Sequence, residues 1–116
     1  MQVEQGGLAY TVFHPDEFRR RLAHNERFSI VDARSDGTYR NSGQTVAGAI
    51  RIAPEDLNRR KNEIPKGQTL VLVADVDVAE SMALALLADG YTDVYLIEGG
   101  FDAYARAGGK TEPARV

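Results

Sequence analysis

A chain of 116 residues, 43% hydrophobic with a net charge of −3, is sized for one domain with its own core, and has no global field to draw it to nucleic acid or anionic membrane. It contains no cysteine, which excludes disulfides, thiolate zinc sites and a cysteine nucleophile together. No run approaches the ~18 apolar residues of a membrane span, and MQVEQGGLAY at the start lacks the basic and apolar stretches of a secretory leader, so a soluble cytoplasmic protein is expected.

Residues 1–7 carry no periodic pattern and are expected to be loose. LAYTVF (8–13) reads as the first strand. HPDEFRRRLAHN (14–25) reads as a helix, with Pro15 in the first turn, acids early, arginines late, and Phe18 and Leu22 four apart. FSIVDA (28–33) and AIRI (49–52) are strands, and APEDLNRRKNEI (53–64) is a second helix with Pro54 at its start and Leu57 and Ile64 on one side. TLVLVA (69–74) is apolar without alternation, as a central strand covered on both faces would be. AESMALALLADG (79–90) is a buried helix closed by Gly90. DVYLI (93–97) and GFDAYARAGG (100–109) supply a last strand and helix, Tyr91 and Tyr95 sit at a core edge, and residues 114–116 trail off. Strands alternating with helices imply one α/β domain over residues 8–113, a five-stranded, mainly parallel sheet with helices on both faces. The basic triplets Arg19–Arg21 and Arg59–Lys61 lie in helical segments beside acids and read as solvated faces.

Ligands of open α/β sheets gather at the carboxyl ends of strands, where Asp32, Asp75 and Asp77 fall. LVLVADVDVAES (70–81) resembles the Asp-x-Asp loop of haloacid-dehalogenase-type phosphatases, in which one Asp attacks phosphorus and Mg²⁺ offsets the charge. That loop belongs on an early strand with a lysine and further acids after it. Here the only later lysine is Lys110, in a glycine-rich exit. A plainer reading makes Asp77 and Glu80 a capping box, Asp77 accepting from the amide at 80 while Glu80 reaches back. Asp32, Asp75 and Asp77 could also converge on Mg²⁺ as three hard oxygen ligands. His14 and His24 are out of helical register for a metal pair, and His14 is expected to open the first helix. Glu98, before Gly99 and Gly100, is a loop acid with no assigned chemistry.

IVDAR (30–34), VAGAIRI (46–52) and LADGYTDVYLIEGGFDAYARAGGKTEP (87–113) together resemble a rhodanese-like domain over residues 8–113. The resemblance implies a three-layer α/β fold and sulfur transfer, with a cysteine after the fourth predicted strand held in a cradle of inward-pointing amides. It implies architectural roles for Asp32 and Arg34. The cysteine position falls at Val73 or Ala74, and the loop equivalent to the family's active site is Val73, Ala74, Asp75, Val76, Asp77, Val78, Ala79 and Glu80. Gly, Ser and Arg are replaced there by acids, QTVAGA (44–49) lacks the family's histidine, and Tyr104 stands for its late tryptophan.

The expectation is a catalytically inactive rhodanese-like domain with no catalytic residue, metal or cofactor. It would act as a binding or regulatory module through an acidic face of Asp75, Asp77 and Glu80, with a protein partner rather than nucleic acid or membrane. Two other readings stay open: a Mg-dependent phosphoryl-transfer enzyme using Asp75 and Asp77, and a sulfur-transfer accessory domain relying on a partner's cysteine. The sequence does not give an oligomeric state.

Overall fold

The computed structural model describes residues 1–115. Its strands are β1 (Gln2–Gln5), β2 (Leu8–Phe13), β3 (Phe28–Asp32), β4 (Gln44–Val46), β5 (Ile50–Arg51), β6 (Thr69–Val73), β7 (Val94–Ile97) and β8 (Thr111–Pro113). Its α-helices are α1 (Pro15–Ala23), α2 (Asp36–Ser42), α3 (Leu57–Arg60), α4 (Ala79–Ala88) and α5 (Gly100–Arg106). The main sheet runs β1-β2-β7-β6-β3-β5. Its five strands from β2 to β5 are parallel, and they are the five expected.

Central β6 shows why its sequence is apolar throughout. Leu70 and Leu72 join the core under α3 and α4, while Val71 and Val73 join the core under α1 and α5. Helices thus cover both faces of a mainly parallel sheet. On the second face Phe18 is fully buried, its ring 5.0 Å from Phe13 and 5.2 Å from Tyr104. On the first, Tyr91 donates to the carbonyls of Lys61 (2.7 Å) and Ile64 (3.0 Å). Burial pushes the Tyr91 and Tyr104 phenols above their ordinary range, so both stay neutral donors.

Helix ends follow local chemistry. His14 Nδ1 accepts the Asp16 amide at 3.1 Å, opening α1. After α4, Gly90 takes φ +99° and the Tyr91 amide donates back to the Leu86 carbonyl at 3.1 Å, the glycine cap expected there. Both basic triplets are matched by acids: Arg19 and Arg20 by Asp16, Arg21 by Glu17 and Glu26, Arg59 by Asp56, Arg60 by Glu63, and Lys61 by Asp89.

Three expectations need correction. Residues 1–7 are not loose: β1 pairs antiparallel with β2, giving a sixth strand, and the Met1 ammonium donates to the Val12 carbonyl at 2.5 Å. The chain past residue 113 is also held, the Ala114 amide by the Gly43 carbonyl (2.9 Å) and the Arg115 amide by the Tyr39 hydroxyl (2.8 Å); Val116 lies outside the described residues. Residues 53–64 are not one helix but a single α turn, α3, between two 3₁₀ turns. Only Leu57 and Ile64 are buried there, too narrow a face to hold a regular helix. Beyond the predicted elements, α2 and a separate antiparallel pair, β4 with β8, fill stretches to which the sequence pattern assigns no element.

Candidate functional site

The parallel strands end together at one edge, where Asp32 closes β3, Ala74 follows β6 and Glu98 follows β7. A turn between Ala74 and α4 sits over this edge. Its Asp75 carbonyl accepts the amides of Val78 (3.1 Å) and Ala79 (3.0 Å), so two loop amides are engaged within the loop. The Asp75 carboxylate crosses to the next loop, where Oδ2 accepts the Ser35 amide at 3.1 Å. Ser35 itself caps α2.

The expected capping box does not form. Helix α4 starts at Ala79, where AESMALALLADG begins, so its N-cap is Val78 rather than Asp77, with no side-chain cap hydrogen bond. Glu80 turns outward instead and accepts from the Tyr10 hydroxyl on β2, a bond that raises the Tyr10 phenol. A donor seventy residues away in sequence has outcompeted the local amide.

Two clefts flank the turn. One, of about 380 Å³, is lined by Arg34, Thr38, Asp75, Asp77, Phe101 and Asp102. The other, of about 280 Å³, has an apolar floor of Val12, Leu72 and Leu96 and a polar rim of Tyr10, Glu80 and Glu98. Ala74 and Val76 line both. Val73 lines neither and is buried under α1 and α5. On the ridge between the clefts Val76 is 82% exposed, with Val78 beside it at 36%. Among the described residues Met1 is the one other large apolar side chain so exposed.

Beneath the turn lies a buried charge network. Asp32 and Arg34 are 0% and 2% exposed. Asp32 Oδ1 accepts Arg34 Nε at 3.0 Å and the Arg34 amide at 3.2 Å, while Oδ2 accepts Arg34 Nη2 at 2.7 Å and the Thr45 hydroxyl at 2.6 Å. Arg34 Nη2 also donates to the Gln44 carbonyl at 2.7 Å, and its guanidinium lies 4.2 Å from the Phe101 ring centroid. Arg51 ties the carbonyls of Asp32 and Arg34 together through Nη1 (3.2 and 2.6 Å) and stacks 4.0 Å from the Tyr39 ring. Its Nη2 is buried without a hydrogen bond, the Asp36 carboxylate standing at 3.7 Å.

The three aspartates that could have converged on Mg²⁺ are not brought together as a ligand set. Asp32 is committed to Arg34 and Thr45, and Asp75 to Ser35. Among the described residues no group of three potential ligands is placed to hold a metal. Ser81, in the first turn of α4, donates its hydroxyl to the Val78 carbonyl at 3.0 Å. An anion entering the larger cleft would meet Asp75, Asp77 and Asp102, each opposing it by about 1 kcal/mol at 4 Å in water. The one cation there, Arg34, is already neutralised by Asp32.

Sequence reasoning missed Tyr10, Thr45, Arg51 and Asp102. For Arg51 there was a signal: a lone cation inside the apolar run AIRI has to be paired or stacked when its strand is covered. Tyr10 and Asp102 gave none, because their positions beside the loop depend on long-range packing.

Comparison with known proteins then bears on the whole chain. The rhodanese-like domain family matches residues 14–107. The Alr3790 protein from Anabaena sp. superposes with a TM-score of 0.75 at 25% identity, covering 87% of this chain and 81% of that one. The solution structure of its rhodanese-like domain gives 0.71 at 29% identity, covering 87% and 77%. A thiosulfate sulfurtransferase from Pseudomonas aeruginosa shares the fold, with a TM-score of 0.72 at 21% identity over 89% of this chain and 20% of that protein. No curated protein matches by sequence. Among the described residues no helix is long and apolar enough to cross a membrane.

Proposed function

The chain belongs to the rhodanese-like domain family, and from its lack of any cysteine we propose that it is a catalytically inactive member working as a binding or regulatory module. In this reading it is cytoplasmic, and the turn from Val73 to Glu80 is the counterpart of the family's cysteine-bearing loop. Ala74 is the better candidate than Val73 for the cysteine position, because Ala74 opens on both clefts while Val73 faces the core. An alanine methyl offers no nucleophile, and the turn around it holds no thiol to replace one.

The observation that carries the reading is the exposure of Val76 in the middle of unpaired acids. Asp75, Asp77, Glu80, Glu98 and Asp102 surround it, and none has an ion-pair partner among the described residues. An isolated protein gains nothing from holding a valine in water amid mutual repulsion. A partner with an apolar contact and basic surroundings would relieve both, in a salt-sensitive association.

A photo-crosslinking residue at position 76, introduced in the protein's native host, tests this. The expected result is a discrete protein adduct that fades in the Asp77→Lys background. The same crosslinker at Lys66, exposed at the other end of β6, should give none. Equal, diffuse labelling from both positions would contradict a docking role for the loop.

A further inference from the structure

We propose, resting on that loop-face reading, that the groove between β2, β7 and the start of α4 receives a lysine or arginine side chain of the protein partner. The two clefts beside the turn are chemically unlike. The larger has buried Arg34 among its walls, and its Asp75 carboxylate is committed to the Ser35 amide. The smaller has an apolar floor of Val12, Leu72 and Leu96, and two carboxylates at its rim with no cation paired to them among the described residues. Tyr10 holds only Oε2 of Glu80; Oε1 and the Glu98 carboxylate, both on exposed residues, accept no hydrogen bond from the described residues.

An apolar trough ending in carboxylates is the complement of one kind of side chain, a hydrocarbon stem with a cationic tip. At about 280 Å³ the groove is below the usual range for a cofactor or drug-sized ligand and suits a single side chain. An aliphatic residue alone would bury against the floor but leave both acids unsatisfied. An anion would be repelled. Val76 forms the shared wall and is exposed on its outer side, so the partner residue next to the cation should be apolar. The partner surface is therefore a basic residue flanked by an aliphatic one.

The probe is Nα-acetyl-lysine amide, titrated to tens of millimolar at constant ionic strength into ¹⁵N-labelled protein, with the arginine derivative in parallel. Nα-acetyl-norleucine amide supplies the same stem without the charge. Saturable amide shifts are expected at Val12, Leu72, Glu80 and Glu98. They should weaken about threefold or more in Glu98→Gln and with the norleucine probe, the scale of one exposed ion pair. Glu55→Gln, at an exposed acid outside both clefts, should leave the affinity unchanged. Equal shifts from the lysine and norleucine probes, shifts centred on Thr38 and Asp102, or no shift would each overturn the groove assignment. A specific adduct from position 76 with any of those outcomes would leave the binding module standing without this pocket, so the two readings fail separately.

Discussion

Asp32→Ala should cost the domain about 3–5 kcal/mol, the loss typical of removing one partner from a buried ion pair. In the native protein Asp32 satisfies three donors from Arg34 and the Thr45 hydroxyl, all shut off from water. Without it, the Arg34 guanidinium would stay buried with the Gln44 carbonyl and the faces of the Tyr39 and Phe101 rings as its remaining neighbours. A typical domain has only about 5–15 kcal/mol in total, so the shift in denaturation midpoint will be large. Arg34→Lys should fail to substitute, because an ammonium cannot make the two-pronged contact. Replacing both partners by apolar residues of similar size should recover part of the loss, since no uncompensated charge is then buried. A midpoint shift worth less than about 1 kcal/mol for Asp32→Ala would mean that water reaches the site, and would remove the case for an architectural role.

Gly109→Ala should cost about 2–3 kcal/mol, the upper part of the range for overpacking. A Cβ at residue 109 would land inside the van der Waals envelope of the Tyr104 ring. That ring cannot step aside easily. It is 1% exposed, lies against Phe18 and Phe101, and has its hydroxyl on the Lys110 carbonyl at 2.8 Å. Combining Gly109→Ala with Tyr104→Leu should cost less than the two changes added separately, because the clash is then gone. Strict additivity in urea unfolding would place the cost of Gly109→Ala somewhere other than this contact.

The parallel framework was legible because it is written in local pattern. TLVLVA has no polar face, so it needed cover on both sides, and Leu70/Leu72 against Val71/Val73 supply the two cores. Gly90 announced the end of α4 through its left-handed backbone. What escaped depends on distant partners. β4 and β8 are three residues each and acquire meaning only when residues 44–46 and 111–113 meet. β1 is nearly all exposed, so no alternation marked it.

The loop shows the same limit at finer grain. Asp77 and Glu80 have the spacing of a capping box, yet the Asp75 carbonyl set the helix start and Tyr10 captured Glu80. Val76 is placed in the loop by its sequence, between Asp75 and Asp77, but no pattern there tells which way it faces. Its exposure, on which the functional reading depends, could be seen only in three dimensions.

An inactive loop should have lost the anion cradle as well as the thiol, and Ala74→Cys tests that most directly by returning the missing atom. The purified variant would be incubated with thiosulfate and its intact mass read for an added sulfur atom, with a rhodanese-like relative that retains its cysteine as the positive control. The predicted result is an unmodified thiol, because two loop amides are engaged by Asp75 and carboxylates line the approach. A persulfide formed at a rate near that of the control would contradict it, and would mean that the cradle survives and lacks only its cysteine.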